Sequence, residues 1–248
     1  MSDPDPRPRI LASGDTAVVV EFGSTIDPVL SARVLALDAA LVRAGLPGVV
    51  EAVPTLRSLM VHYDPNVTSH ARLGGELLQL ADEAARETNV PPPGRRFRLP
   101  ACYHPDLAPD LADVAAAIGQ TTDDVIALHA RRPYRVYMIG FLPGHPYMGD
   151  TAPALRLPRR KTPRTHVPAG GVAIAIGMTI VYPLESPGGW HLIARTPARL
   201  FDLRRDNPIL LRPGDEVSFE PIERGEFDRL AAASAGGEWS PAALEAVT

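Results

Sequence analysis

Apolar residues keep two different rhythms along this 248-residue chain. Up to residue 94, short unbroken apolar runs alternate with helical spacing. Thr16–Phe22 (T-A-V-V-V-E-F) is such a run, closed by Gly23, and predicts a buried strand. Asp27 then offers a capping carboxylate with Pro28 at the first helical position, and Leu30, Val34, Leu37 and Leu41 follow three or four apart. That spacing predicts a helix stopped at Gly45. Val49–Val53 and Ser58–Tyr63 predict two strands around Pro54-Thr55. Ser69 to Glu87 predicts a second helix with Leu73, Leu77, Leu78 and Leu80 on its apolar side. Pro91-Pro92-Pro93-Gly94 ends it, and Phe97–Tyr103 begins a new strand. The order β-α-β-β-α-β predicts a ferredoxin-like half. The Pro-Pro-Pro-Gly segment is the expected domain boundary, with 1–94 before it and 95–248 after it.

Beyond it, Asp110–Ile118 predicts a short helix ending at Gly119. Thr121 caps a second one over Asp123–Ala130, with Asp124 placed to complete a capping box. The rhythm then shortens to strands: Arg135–Ile139, Val172–Ile176, Thr179–Tyr182, His191–Ala194 and Glu216–Pro221, the last after a Pro213-Gly214-Asp215 turn. Short strands between Gly/Pro turns predict a barrel or sandwich. Glu226–Ala233 predicts a terminal helix, and Gly236-Gly237 leads into a loose tail. Residues 1–9 are polar and Pro-rich and read as a disordered start. No internal repeat is visible. The fold class expected is α+β.

Charge changes this picture in one place. The chain carries a net charge of −4, so it is not a general polyanion binder. Between Asp150 and Glu185 no acid occurs, while Arg156, Arg159, Arg160, Lys161 and Arg164 do. The 27 prolines are far above ordinary usage and sit in loops between apolar segments, which reads as rigid turns rather than disorder. The single cysteine, Cys102, excludes an intramolecular disulfide and a Cys-rich metal site; it reads as a buried structural thiol in a strand. A signal core and an apolar run of spanning length are both missing from the sequence, which predicts a soluble cytoplasmic protein.

Three Gly/Pro/aromatic stretches flank and contain this basic interval. Gly140–Asp150 (G-F-L-P-G-H-P-Y-M-G-D) lets the backbone approach a ligand, with Phe141 and Tyr147 as apolar walls and His145 and Asp150 as candidate acid and base. Leu157–Thr165 (L-P-R-R-K-T-P-R-T) holds Arg159, Arg160 and Arg164 in a Pro-stiffened frame. Guanidinium forks suit carboxylate or phosphate, and no nearby acid in sequence neutralises them, so this stretch predicts anion binding, with Arg164, the best fixed of the group, as a catalytic candidate. Tyr182–Trp190 (Y-P-L-E-S-P-G-G-W) offers Glu185 as a base or as a partner of the basic loop. Its Gly188 and Gly189 are backbone donors to an oxyanion or phosphate. Ser186 lies in S-P-G-G rather than in a nucleophile elbow, which argues against serine-hydrolase chemistry and leaves it as a substrate-contacting hydroxyl.

Arg57 and Arg195 are further candidate ligands. No Walker loop, dinucleotide fingerprint or H-E-x-x-H motif is present, and no metal ligands are predicted. Asp110–Arg131 has the outline of a helix-turn-helix, but Asp123 and Asp124 would stand at the start of the recognition helix and repel phosphates. Nucleic acid and membranes are not expected partners.

With those stretches in view the chain resembles the allophanate hydrolase subunit 1 family, which includes the B-type subunit of 5-oxoprolinase and a sporulation-kinase inhibitor. The likeness runs from about Gly14 to Pro221. It rests on G-D-T-A-V-V-V-E-F-G, V-P-T-L-R-S-L-M-V-H-Y-D-P, G-F-L-P-G-x-P-Y-M-G, P-R-R-x-T-P-R-T-x-V-P-A-G and Y-P-x-E-S-P-G-G-W-x-L-I-x-R-T-P. His145 stands where the family usually has an aromatic residue, and Gly171 where it usually has Ser.

The resemblance implies an N-terminal α/β domain and a C-terminal cyclophilin-like barrel. It implies a partner, a subunit 2 or C-type paralogue, and with it an A-type subunit. It also implies ATP, with magnesium, spent in the complex to open the lactam of 5-oxo-L-proline to L-glutamate. A lactam is unreactive. Phosphorylating its oxygen supplies a leaving group, and Arg side chains stabilise the transferring charge. On that reading the chain is an amidohydrolase subunit, inactive alone. The alternatives in the same family are a urea carboxylase-type carboxyltransferase subunit, whose carboxybiotin carrier lysine this chain lacks, and a non-enzymatic inhibitor of a sensor histidine kinase.

Overall fold

A computed structural model describes residues 7–87 and 94–244. Pro91, Pro92 and Pro93 of the expected boundary and the first six residues of the expected disordered start lie outside the described residues. The chain divides into two compact units, 1–92 and 93–248.

The first unit is a four-stranded antiparallel sheet with two helices. Its strands are β1 (Arg9–Ala12), β2 (Ala17–Glu21), β3 (Val49–Pro54) and β4 (Ser58–Tyr63), in the order β1-β2-β4-β3. Helix α1 (Pro28–Ala44) begins as its sequence dictates: Asp27 Oδ1 accepts from Val29 N at 2.7 Å, Pro28 occupies the first turn, and Gly45 closes the helix at φ 55°. Helix α2 (His70–Glu87) turns Leu73, Leu77 and Ala81 inward against Val18, Val20, Leu37, Leu59 and Val61. Leu78 lies off that line and is only half-buried. The expected β-α-β-β-α-β order is therefore corrected to β-β-α-β-β-α. β1 adds an edge to the sheet, and the strand expected to complete it belongs to the other unit.

That strand is β5 (Arg96–Ala101). It pairs in parallel with β13 (Glu216–Pro221), from Arg96 beside Glu216 to Ala101 beside Pro221. The remaining strands are β6 (Tyr134–Ile139), β7 (Pro146–Gly149), β8 (Arg164–Val167), β9 (Gly171–Ala175), β10 (Met178–Val181), β11 (Ser186–Gly188) and β12 (His191–Arg195), with a short β14 (Ala243–Leu244) beside β5. The main sheet runs β12-β9-β10-β7-β6-β13-β5, and Cys102 closes it. Cys102 N donates to Arg195 O at 2.8 Å and Arg195 N to Cys102 O at 2.9 Å, which joins the two outer strands into a nearly closed seven-strand barrel. The Cys102 thiol itself is buried.

Its core includes Leu99, Tyr134, Val136, Met148, Val172, Ile174, Ile193 and Val217. Helices α3 (Leu111–Ile118) and α4 (Thr122–Ala130) contribute Leu111, Val114 and Val125 to it. The capping box is complete: Asp124 N donates to Thr121 Oγ1 and Thr121 N to Asp124 Oδ2, both at 3.1 Å. Helix α5 (Arg224–Gly236) is longer at both ends than expected and stops at Gly237. Among the described residues no helix is long and apolar enough to cross a membrane.

Candidate functional site

The three Gly/Pro stretches meet in the barrel unit, partly as strands. β7 carries Tyr147 to a position beside Ile180 of β10, and β8 pairs with β11 so that Arg164 lies opposite Gly188. Arg160 N donates to Gly189 O at 2.8 Å, tying the basic stretch to the S-P-G-G turn. A chain of ring contacts completes the cluster. His145 packs against Phe141, Tyr147 and Tyr182 at 5.6, 5.0 and 5.2 Å, Tyr147 meets Trp190 at 6.1 Å, and the Arg159 guanidinium lies 5.6 Å from the centre of the Trp190 ring.

Arg160 and Arg164 are not unopposed. Both engage Asp110, whose side chain is 2% exposed. Arg160 Nη1 donates to Oδ1 at 2.6 Å; Arg164 forms a two-pronged pair, Nη2 to Oδ1 at 2.7 Å and Nη1 to Oδ2 at 2.8 Å. Leu192 N also donates to Oδ2, at 2.7 Å. Two guanidiniums and one carboxylate leave one net positive charge. The clamp orients the forks and softens their attraction for a second anion. Arg159 and Lys161 stay exposed.

The other candidates separate. Glu185 is exposed and faces His166 Nδ1 at 3.3 Å, not the arginines. Asp150 accepts from Tyr137 Oη at 3.3 Å. Arg195 Nε donates to Ala169 O at 2.9 Å and its guanidinium lies 5.9 Å from the Phe227 ring. Arg57 belongs to the first unit, where it holds Glu21 and the Gly23 carbonyl. Burial pushes His145 down to about 4, so its ring is neutral near neutral pH; its ring contacts are with Phe141, Tyr147 and Tyr182, while Asp150 bonds Tyr137. Burial likewise raises Tyr147, and pushes Tyr182 up to about 12 with Tyr147 adding to it, so both phenols keep their protons.

Several polar atoms here have no hydrogen-bond partner among the described residues: both nitrogens of His145, Arg160 Nε, Ser186 Oγ and His191 Nδ1. Buried polar atoms are normally satisfied, so such a concentration marks a place completed by water or by a ligand. Gly188 is required by close packing, because a β-carbon there would overlap the Tyr182 hydroxyl. Gly188→Ala is therefore expected to destabilise the unit by about 1–3 kcal/mol. Gly189→Ala, whose β-carbon would meet only Pro163 carbons, at 3.6–3.9 Å, should be near neutral on that account; equal thermal shifts for the two variants would refute the packing argument.

Residues 8–211 match the family model for the carboxyltransferase domain, subdomain C and D. The chain belongs to this carboxyltransferase-domain family. It is 42% identical to the 5-oxoprolinase B-type subunit of Escherichia coli O157:H7 over 88% of this chain and 98% of that protein. It is 35% identical to the corresponding 5-oxoprolinase subunit of Bacillus subtilis over 89% and 95%. Among solved structures it matches the K. lactis urea amidolyase with a TM-score of 0.81, at 22% identity, over 98% of this chain and 16% of that one, a likeness of fold.

Within this carboxyltransferase-domain chain, sequence reasoning missed Asp110. The residue stands at the N-terminal cap position of α3, where Asp reads as a helix cap, yet its side chain makes no bond to its own helix. All its capacity goes to partners 50 to 82 residues away, and no local pattern carries that signal. Tyr182 and Trp190 were legible as ring-bearing loop residues, but their contacts with His145 and Arg159 were not.

Proposed function

We propose that this chain is the B-type subunit of an ATP-dependent 5-oxoprolinase that converts 5-oxo-L-proline to L-glutamate. The observation that carries this reading is the likeness to two bacterial 5-oxoprolinase subunits of that type along nearly the full length of both. We read the barrel unit as the cyclophilin-like half of the family and the three-loop cluster as the chain's contribution to the active site. The partners are a C-type paralogue and an A-type subunit, and the complex works in the cytoplasm.

In that site Arg159 and Lys161 attract the anionic groups, while Arg160 and Arg164, aimed by Asp110, stabilise negative charge developing on a carbonyl or phosphoryl oxygen. Gly188 and Gly189 keep the backbone within reach of the same oxygen, and Tyr147 and Trp190 form its apolar wall. The chemistry ATP supplies is activation of the lactam oxygen. Among the described residues no group of three or more His, Cys, Asp or Glu is arranged to hold a metal ion. No step on this chain is routed through magnesium.

The test is ATP-dependent glutamate release from 5-oxo-L-proline by the purified chain alone and with its C-type and A-type partners. Activity is expected only in the mixture. Arg159→Ala should lower it on the order of 10²-fold. Arg159 is a cleaner probe than Arg164, whose loss also leaves Asp110 underpaired. A mixture of folded subunits with no glutamate release rules the reading out.

A further inference from the structure

We propose that His145 determines substrate specificity in this cluster, its imidazole hydrogen-bonding an uncharged polar group, an amide oxygen or N–H, of the bound molecule. The inference rests on the 5-oxoprolinase reading of the three loops. His145 is 1% exposed, yet neither ring nitrogen has a partner among the described residues. Among those residues, the only titratable side chains in ring contact with it are the phenols of Tyr147 and Tyr182, and Phe141 completes the cage. Packing alone needs no nitrogen there; a hydrocarbon ring would fill the same cage without leaving two polar atoms unsatisfied.

The backbone holds the ring in place. His145 N donates to Leu142 O and Gly140 N to His145 O, both at 3.1 Å, and Gly144 sits at φ 74° with Leu200 O 3.2 Å from where a β-carbon would lie. Phe141, a 62% exposed residue, is held at φ 70°, in the left-handed region that disfavours side chains, with its ring edge-on to His145. Strain of this kind persists only where the surroundings impose it and gathers at ligand sites. A neutral imidazole presents one donor and one acceptor. Burial that keeps the ring neutral disfavours an anionic partner, which leaves the carboxylate or phosphate of a ligand to the arginines and an amide group to His145.

The experiment uses the reconstituted complex with wild-type chain, His145→Phe and His145→Gln. His145→Phe should fold with undiminished thermal stability, raise KM for 5-oxo-L-proline roughly tenfold or more, and leave KM for ATP unchanged. The pH profile should keep its shape. His145→Gln, which restores a donor and an acceptor, should recover part of the lost affinity. An unchanged KM for the lactam in His145→Phe overturns the inference and makes the ring a packing element. Loss of a profile limb between about pH 6 and 7 overturns it in favour of acid/base catalysis. An inactive wild-type complex is a separate outcome: it removes the 5-oxoprolinase reading and this inference with it.

Discussion

Asp110→Ala is expected to cost the barrel unit about 3–5 kcal/mol, the range for removing one partner of a buried ion pair. The carboxylate is 2% exposed and accepts four hydrogen bonds of 2.6–2.8 Å, three from Arg160 and Arg164 and one from Leu192 N. Alanine leaves two guanidiniums facing each other without a counter-charge and one buried backbone N–H unpaired. The arginine side chains are 28% and 24% exposed, so water relieves part of the penalty and the lower half of the range is the better expectation. For a chain of this size a loss of 1 kcal/mol lowers Tm by about 2–4 °C. The shift is read by thermal unfolding of wild type, Asp110→Ala and Asp110→Asn. Asn keeps the shape but turns an NH2 toward donors, so it should fall between the other two. A loss below about 1 kcal/mol in Asp110→Ala would mean the clamp behaves as a surface ion pair. The site would then lack the rigid arginine geometry attributed to it.

The same clamp explains what was legible in the sequence and what was not. Helix ends are set by residues a few positions apart, and Asp27, Pro28, Gly45, Thr121 and Asp124 all act where local chemistry places them. Strands with apolar runs, such as β2 and β4, or with polar–apolar alternation, such as β13, were equally visible. β7, β8 and β11 were not, because they span four residues or fewer, and Gly and Pro within β7 and β11 or just before β8 read as turns. β5 was found as a strand but assigned to the wrong sheet. Its parallel partner begins 120 residues downstream at Glu216, and pairing across that distance leaves no periodic trace. The basic loop failed for the same reason: absence of an acid nearby in sequence says nothing about an acid nearby in space. The ligand-facing character of each of the three loops was read from composition; their meeting was not. The assignment of roles within them needed the three-dimensional arrangement, which seats His145 in a cage of aromatic rings and gives Glu185 a partner outside the arginine cluster.

Acid should destabilise the barrel unit as pH falls below about 6.5. His129 is fully buried, with Nδ1 2.7 Å from Tyr103 Oη and Nε2 3.0 Å from Thr179 Oγ1, and it stacks on Phe219 at 4.6 Å. Thr179 Oγ1 donates onward to Ala173 O at 3.2 Å, so it accepts from His129 Nε2–H, and Nδ1 accepts from Tyr103. Neither nitrogen has room for a second proton without breaking that network. Burial pushes His129 down to about 3 and His145 to about 4, against 6.5 in the unfolded chain. The unfolded state therefore binds more protons below pH 6.5. The stabilisation is complete above that value and is lost as pH falls toward the folded-state values. Each histidine contributes a slope of up to about 1.4 kcal/mol per pH unit, so the pair removes about 4 kcal/mol between pH 6.5 and 4.5. Asp38 is raised by burial and works in the opposite sense, but it lies in the first unit. Both tryptophans, Trp190 and Trp239, lie in the barrel unit, so urea unfolding followed by tryptophan fluorescence isolates the transition in question. The slope should halve in His145→Phe, which removes one of the two titrating rings and leaves the His129 network in place. A wild-type stability that stays flat from pH 6.5 to 4.5 would show that the two rings charge in the folded state and that the network around His129 yields to the proton.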